Sequence, residues 1–238
     1  MKTRSTDSSD SLFLALAGRD LTSAISLAAC FRAAVQNLWV PQSLCVAHGS
    51  ELVRAVTRTS NFRVLLDARV VGNEQEVTDA ILAADAAGVW GLTVCADFLT
   101  KGLKAVVEDT SVKVVASLAP FPSSELLWRD SRKTLRSYGA HVALLQRSAL
   151  AAGCHGMHLP ARYPGVVGDL ATFVDCDACP GAPGLSPEYL TEAGVTHPVF
   201  NPATCGCRDF DMTASKLVAA QRRREPPPAM SRLKLKAK

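Results

Sequence analysis

Along this chain, short runs of apolar and β-branched residues alternate with segments whose apolar positions recur every three or four residues. Residues 12–17 (LFLALA) predict a strand, and 20–36 follow with Leu21, Ile25, Ala28 and Val35 at helical spacing. A second strand is expected over 38–44 (LWVPQSL), then a helix over 48–58 with Ser50 as its cap. Residues 62–70 (FRVLLDARV) predict a third strand. The helix after it, 73–88, has Asn73 as cap, acids in its first turn and Gly88 at its end, with Val77, Ile81 and Ala84 on its buried face. Strand four falls at 91–96, its helix at 99–110 and strand five at 112–120. A long helical stretch over 123–153 breaks near Gly139. Strand six is expected at 156–161, a short helix at 169–173 (DLATF) and strand seven at 174–181 (VDCDACPG). A helix over 186–194, strand eight over 197–203 and a last helix over 209–224 complete the pattern.

Eight strand–helix units in 238 residues predict an α/β fold, a (β/α)8 TIM barrel. An open doubly wound sheet is disfavoured, because no Gly-rich phosphate loop follows any strand. The reading divides the chain into a barrel over 1–221 and a basic, Pro-rich C-terminal extension over 222–238.

Composition narrows the class. With 48% apolar residues the body is globular, and no apolar run reaches the roughly 18 residues that span a bilayer. The opening, MKTRSTDSSDSLFLALAG, makes a poor secretory or organelle-targeting signal, since Asp7 and Asp10 interrupt it and its apolar segment is short. The net charge of +4 is uneven. Residues 222–238 hold seven basic residues and one acid, leaving 19 basic and 21 acidic of the chain's 26 and 22 in the body. A tail of +6 on a body of −2 attracts a polyanion, or serves as a solubilising end. Eight cysteines without a secretory signal point to a reducing compartment, with thiols free or bound to metal.

The order of these segments resembles orotidine 5′-monophosphate decarboxylase and the related phosphosugar enzymes of that barrel superfamily. The likeness runs from about Leu12 to Ala220. It rests on LFLALAGRDLTSAI as the opening strand and helix, on residues 49–96 as the central portion, and on CPG at Cys179 to Gly181, which is similar to the family's Thr-Pro-Gly. The departures fall on the charged positions. Leu16 is followed by Ala17 where the family has an acid, and Trp39 stands where the second strand offers a lysine. In the signature Asp-x-Lys-x-x-Asp, Asp67 remains, Arg69 replaces the lysine and Gly72 the second acid. Strand four ends Cys95-Ala96 in place of His-Ala, and Asn201-Pro202 stands where Gly-Arg grips the substrate phosphate.

The resemblance implies that the signature lysine delivers a proton to a carbanion. Arginine, with a pKa above about 12, does this poorly. A charge network that acts as a unit fails steeply when its members are lost. No catalytic residue is therefore expected, only a vestigial site of Asp67, Arg69, Cys95 and Ser117. Asp67 and Arg69 are expected to face inward and pair as a buried ion pair rather than to form a new dyad. The family's dimer places active sites at the subunit interface, and with Gly72 in place of the acid that homodimer is not expected to persist.

Cys176 and Cys179 form Cys-x-x-Cys, and Cys205 and Cys207 form Cys-x-Cys just after strand eight. Neighbouring barrel strands bring all four thiols to the C-terminal mouth, where they suit zinc or an iron–sulfur cluster, or act as small apolar fillers. Cys154, His155 and His158 around strand six could also contribute, but a lone histidine near a strand is more often structural, and they are left out of the expected metal site.

These features predict a non-catalytic barrel acting as a structural subunit of a large assembly, foremost a mitochondrial ribosome or other ribonucleoprotein. Its partners would be neighbouring protein subunits and RNA, with Arg222, Arg223, Arg224, Arg232, Lys234, Lys236 and Lys238 contacting phosphate. The mitochondrial placement rests on precedent for retired enzymes in such assemblies, and a cytoplasmic one is the alternative. Two other readings stay open: an active phosphosugar or nucleotide lyase, isomerase or decarboxylase using Asp67, and a zinc or iron–sulfur protein built on the four cysteines.

Overall fold

A computed structural model describes residues 11–16, 20–59, 62–118, 137–160, 170–180 and 182–224. Eight parallel strands close into a barrel in sequence order: β1 (Phe13–Ala15), β2 (Asn37–Val40), β3 (Arg63–Val70), β4 (Gly91–Cys95), β5 (Lys113–Ser117), β6 (Gly156–Leu159), β7 (Ala171–Asp175) and β8 (His197–Phe200). The ring closes where β1 pairs with β8, Phe13 opposite Val199. Helices α1 (Leu21–Phe31), α2 (Gln42–Thr59), α3 (Glu74–Ala86), α4 (Lys104–Asp109), α5 (Tyr138–Ala151), α6 (Pro187–Glu192) and α7 (Phe210–Arg224) lie between strands. Among the described residues, no helix is long and apolar enough to cross a membrane.

Strand alternation sorts the core into two shells. Phe13, Ala15, Trp39, Leu65, Val115, Phe173 and Val199 form a cluster of their own within the barrel. Their neighbours along the strands, such as Leu14, Leu38, Val40, Val64, Val114 and Val174, belong to a larger cluster that includes the buried faces of the helices. Gly156 marks the tightest point of the wall. A Cβ there would lie 2.7 Å from the Ala171 carbonyl oxygen and 2.8 Å from Phe173.

Polar side chains set the helix starts. Asp20 accepts from the Ser23 N–H (2.8 Å) at α1, Ser137 from the Ala140 N–H (3.3 Å) at α5, and Ser186 from the Tyr189 N–H (3.3 Å) at α6. At α3 the expected Asn73 cap is a full capping box: its side chain accepts from the Glu76 N–H, and Glu76 accepts from the Asn73 N–H. Val77, Ile81 and Ala84 are its buried residues, as the spacing predicts.

Several boundaries differ from expectation, three of them with consequences for the fold. Strand two stops at Val40, because the Pro41 carbonyl accepts from the Leu44 and Cys45 N–H groups and starts α2 early. That helix breaks at Gly49 (φ +49°), so its second half begins near the predicted cap, Ser50. Residues 169–173 are not a helix: Ala171–Asp175 is strand seven, in register with both β6 and β8. Its Ala171-Thr172-Phe173-Val174 run has strand alternation, which the weaker helical pattern had masked. Cys176 and Cys179 consequently lie in the loop beyond the strand. The first half of the expected 123–153 helix lies outside the described residues; its second half is α5.

Candidate functional site: two polar pairs at the barrel mouth

The inward positions at the C-terminal ends of strands β3 to β7 turn polar. Asp67 follows Leu65 on β3, Thr93 lies on β4, Ser117 follows Val115 on β5, His158 lies on β6 and Asp175 follows Phe173 on β7. Asp67, Thr93, Ser117 and His158 are all buried. Cys95 stands opposite Ser117, and Ser117 opposite His158, so the three form one row across β4, β5 and β6.

The first pair is Asp67 and Arg69. Arg69 Nη2 donates to Asp67 Oδ2 at 2.8 Å, and Nε lies 3.1 and 3.2 Å from the two carboxylate oxygens. Thr93 Oγ1 donates to Asp67 Oδ1 (3.0 Å) and accepts the Arg69 N–H (2.8 Å). The ion pair thus forms as expected, though a flat pleat is not what makes it. Between Leu66 and Val70 strand β3 advances four residues while β4 advances two, from Leu92 to Val94. This bulge puts Arg69 at φ +47°, the one positive φ at a non-glycine among the described residues, and turns its guanidinium back onto Asp67. Burial opposes the charge on Arg69. The hydrogen bonds and charge of Asp67, with Asp175 and Cys95 farther off, outweigh it and raise the pKa above the ordinary value.

The second pair was not singled out from the sequence. His158 Nε2 lies 3.2 Å from Asp175 Oδ2. The imidazole is 3% exposed and its ring centroid is 4.7 Å from that of Trp39, while its Nδ1 is buried with no hydrogen-bond partner among the described residues. Asp175 stands at the rim with 58% of its side chain exposed. The surrounding protein desolvates its carboxylate, yet His158 and Arg69 overcome this and hold its pKa below the usual range. The expected structural placing of His158 in the wall thus comes with a polar partner that the sequence had not suggested. The available signal was a lone histidine in an otherwise apolar strand, GMHL, followed in the next strand by an acid at its last position.

Several features close off the mouth the resemblance had implied. Trp39, where a lysine was expected, is 3% exposed and packs on Phe13 (6.4 Å), Phe173 (5.9 Å) and His158. Gly72 has φ +153°, and a Cβ there would lie 2.5 Å from Glu76 Oε2, so the second acid has no room in this loop. Asn201, at the expected phosphate grip, spends its side-chain oxygen on the Ala203 (3.1 Å) and Thr204 (3.4 Å) N–H groups of its own turn.

The four cysteines do converge after β7 and β8. Cys179 and Cys207 are joined as a disulfide, whereas free thiols or metal ligands had been expected. Cys205 Sγ donates to the Cys176 carbonyl (3.4 Å), and Cys179 Sγ lies 3.1 Å from the Cys205 carbonyl. Burial raises the pKa of the Cys176 thiol, with a contribution from Cys205, and burial likewise raises that of Cys205. Among the described residues, no group of three or more His, Cys, Asp or Glu side chains is arranged to hold a metal. His155 Nδ1 accepts from the Val114 N–H (3.3 Å), and burial pushes the Cys154 thiol up to about 12; both serve the wall. Of the basic residues at the C-terminus, Arg222, Arg223 and Arg224 continue α7, while Arg232, Lys234, Lys236 and Lys238 lie outside the described residues.

The closed parallel barrel with polar side chains at its C-terminal rim is a (β/α)8 barrel, and solved structures share that fold. Among solved structures, orotidine 5′-phosphate decarboxylase from Lactobacillus acidophilus superposes with a TM-score of 0.74 at 14% identity, covering 89% of this chain and 98% of that one. An uncharacterized conserved protein from Geobacillus kaustophilus gives 0.73 at 15% identity, covering 88% and 99%. At these identities the likeness is one of fold. No protein-family model and no curated protein matches the sequence.

Proposed function

We propose that this protein is a decarboxylase-like barrel that no longer decarboxylates orotidylate and serves as a structural subunit of a large ribonucleoprotein, such as a mitochondrial ribosome. The observation that carries the loss of reaction is the fork of Arg69 on Asp67. It neutralises the carboxylate that the family's chemistry would need and presents a cation that holds its proton. The assembly role is supported by the +6 tail on a near-neutral body. Purified protein incubated with orotidylate should show no turnover, and turnover abolished by Asp67→Ala would overturn the reading. Deleting 225–238 and changing Arg222, Arg223 and Arg224 to Gln should release the protein from native ribonucleoprotein particles; unchanged co-sedimentation would count against the assembly role.

A second reading is favoured by the His158–Asp175 pair. A carboxylate 3.2 Å from one nitrogen of a buried imidazole, whose other nitrogen has no hydrogen-bond partner among the described residues, is the orienting geometry that general acid–base sites use. In that reading the barrel is a lyase or isomerase with a new base. Turnover of a hexulose phosphate that is lost in His158→Gln but kept in Asp67→Asn would select it over the first.

A further inference from the structure

We propose that the Cys179–Cys207 disulfide is a reversible redox latch that pins the loop after β7 (176–186) to the loop after β8 (201–209) at the barrel mouth, controlled by an external dithiol/disulfide couple.

Four observations carry this. First, each loop is held internally by its own polar bonds. Asp177 Oδ1 accepts from the Leu185 N–H (2.6 Å) in one, and the Asn201 and Pro202 carbonyls accept from the Cys205 and Cys207 N–H groups in the other. Second, among the described residues, the hydrogen bonds that cross between the loops run through sulfur. Besides the disulfide they are Cys205 Sγ on the Cys176 carbonyl and Cys179 Sγ against the Cys205 carbonyl. The disulfide is therefore the covalent tie between two loops that each carry their own internal hydrogen bonds. Third, both redox states are provided for. A sulfur in a disulfide carries no proton, but once reduced the Cys179 thiol has the Cys205 carbonyl 3.1 Å away as a ready acceptor. Fourth, the adjacent thiols are poor attackers. Cys176 is buried, and both it and Cys205 have raised pKa values, so they stay protonated and do not scramble the bond from within.

The exchange balances simply. Cys179 and Cys207 lose two protons and two electrons as the S–S bond forms, and the partner's disulfide takes them up to become a dithiol. The latch sits next to the site: Cys176 follows Asp175 directly, and the Cys176 N–H bond to the Val199 carbonyl (2.8 Å) keeps that strand end in the sheet while the loop beyond it is freed.

The test uses the full chain equilibrated in glutathione and dithiothreitol buffers. Thiol titration of the unfolded protein should read six thiols per chain on the oxidising side and eight on the reducing side. The two-thiol step should reverse, vanish in Cys179→Ser and in Cys207→Ser, and persist in Cys176→Ser and Cys205→Ser. Amide exchange in the two loops should quicken by about tenfold on reduction, with β3 and β4 unchanged, as expected when a loop constraint is removed. Cys207→Ser should exchange at the reduced rate in either buffer. Eight thiols in every buffer would overturn the proposal. So would a bond that native protein never surrenders to dithiothreitol, or one zinc per chain whose retention requires Cys176 and Cys205.

Discussion

Arg69 occupies a backbone conformation that costs an L-residue about 1 kcal/mol or more. It persists because its N–H is bonded to Thr93 and its guanidinium answers a carboxylate that is otherwise buried. Removing one member of such a pair strands the other. Arg69→Ala should lower stability by about 3 kcal/mol in urea titrations, and much of that loss should be recovered when Asp67→Asn is added. Equal losses in the single and double variants would mean that the pair is not coupled. A second residue-scale effect concerns pH. Burial lowers the pKa of His197 and of His155 below the ordinary 6.5. The unfolded chain then takes up protons first as the pH falls. Their contribution is complete above about 6.5 and drains away through the window between that value and the lower folded one. The urea midpoint should therefore drop between pH 7 and pH 5. His197→Phe, which keeps a ring against Phe13 and Phe173, should shrink the drop, and an unchanged pH dependence would speak against this assignment.

At the scale of the element, the turn between β3 and α3 explains why position 72 does not readily take an acid. Gly72→Asp would drive its Cβ to 2.9 Å from Glu76 Cβ and disturb the carboxylate that closes the capping box. The expected loss is about 1–3 kcal/mol, against about 1 kcal/mol for Asn73→Ala, and neither variant should gain turnover. Equal stability of Gly72→Asp and the parent would contradict the crowding. This turn was legible in the sequence: the Asn73 cap, the acids behind it and the Val77-Ile81-Ala84 face each follow from local rules. Strand seven was less so. Five residues with one apolar neighbour on each side do not distinguish strand from short helix until the register with β6 and β8 is known. That one boundary hid the second pair. Asp175 became visible as the end of a strand, facing His158, only once the strand moved to Ala171–Asp175. The Arg69 bulge was likewise hidden, because alternation alone already put residues 67 and 69 on one side and gave no reason to look for extra ones.

For the molecule as a whole, the alternation of strands and helices was enough to specify a closed barrel, since eight parallel strands have few other ways to bury both faces. The polarity of its mouth depended on which inward positions fall at the strand ends, and this is a property of the assembled register. The uneven charge leads to a separate expectation. Binding of single-stranded RNA should weaken steeply with salt, and removing the seven basic residues of 222–238 should flatten the slope of log K against log salt by up to about 5. An unaltered slope would place any RNA contact elsewhere on the barrel. The central claim, the proposal that Arg69 on Asp67 leaves this mouth without a group to deliver a proton to orotidylate, is tested most directly by following orotidylate with the purified protein at neutral pH. The account predicts no release of carbon dioxide above the uncatalysed background, in the parent and in Asp67→Ala alike. Saturable decarboxylation by the parent that disappears in Asp67→Ala would contradict it.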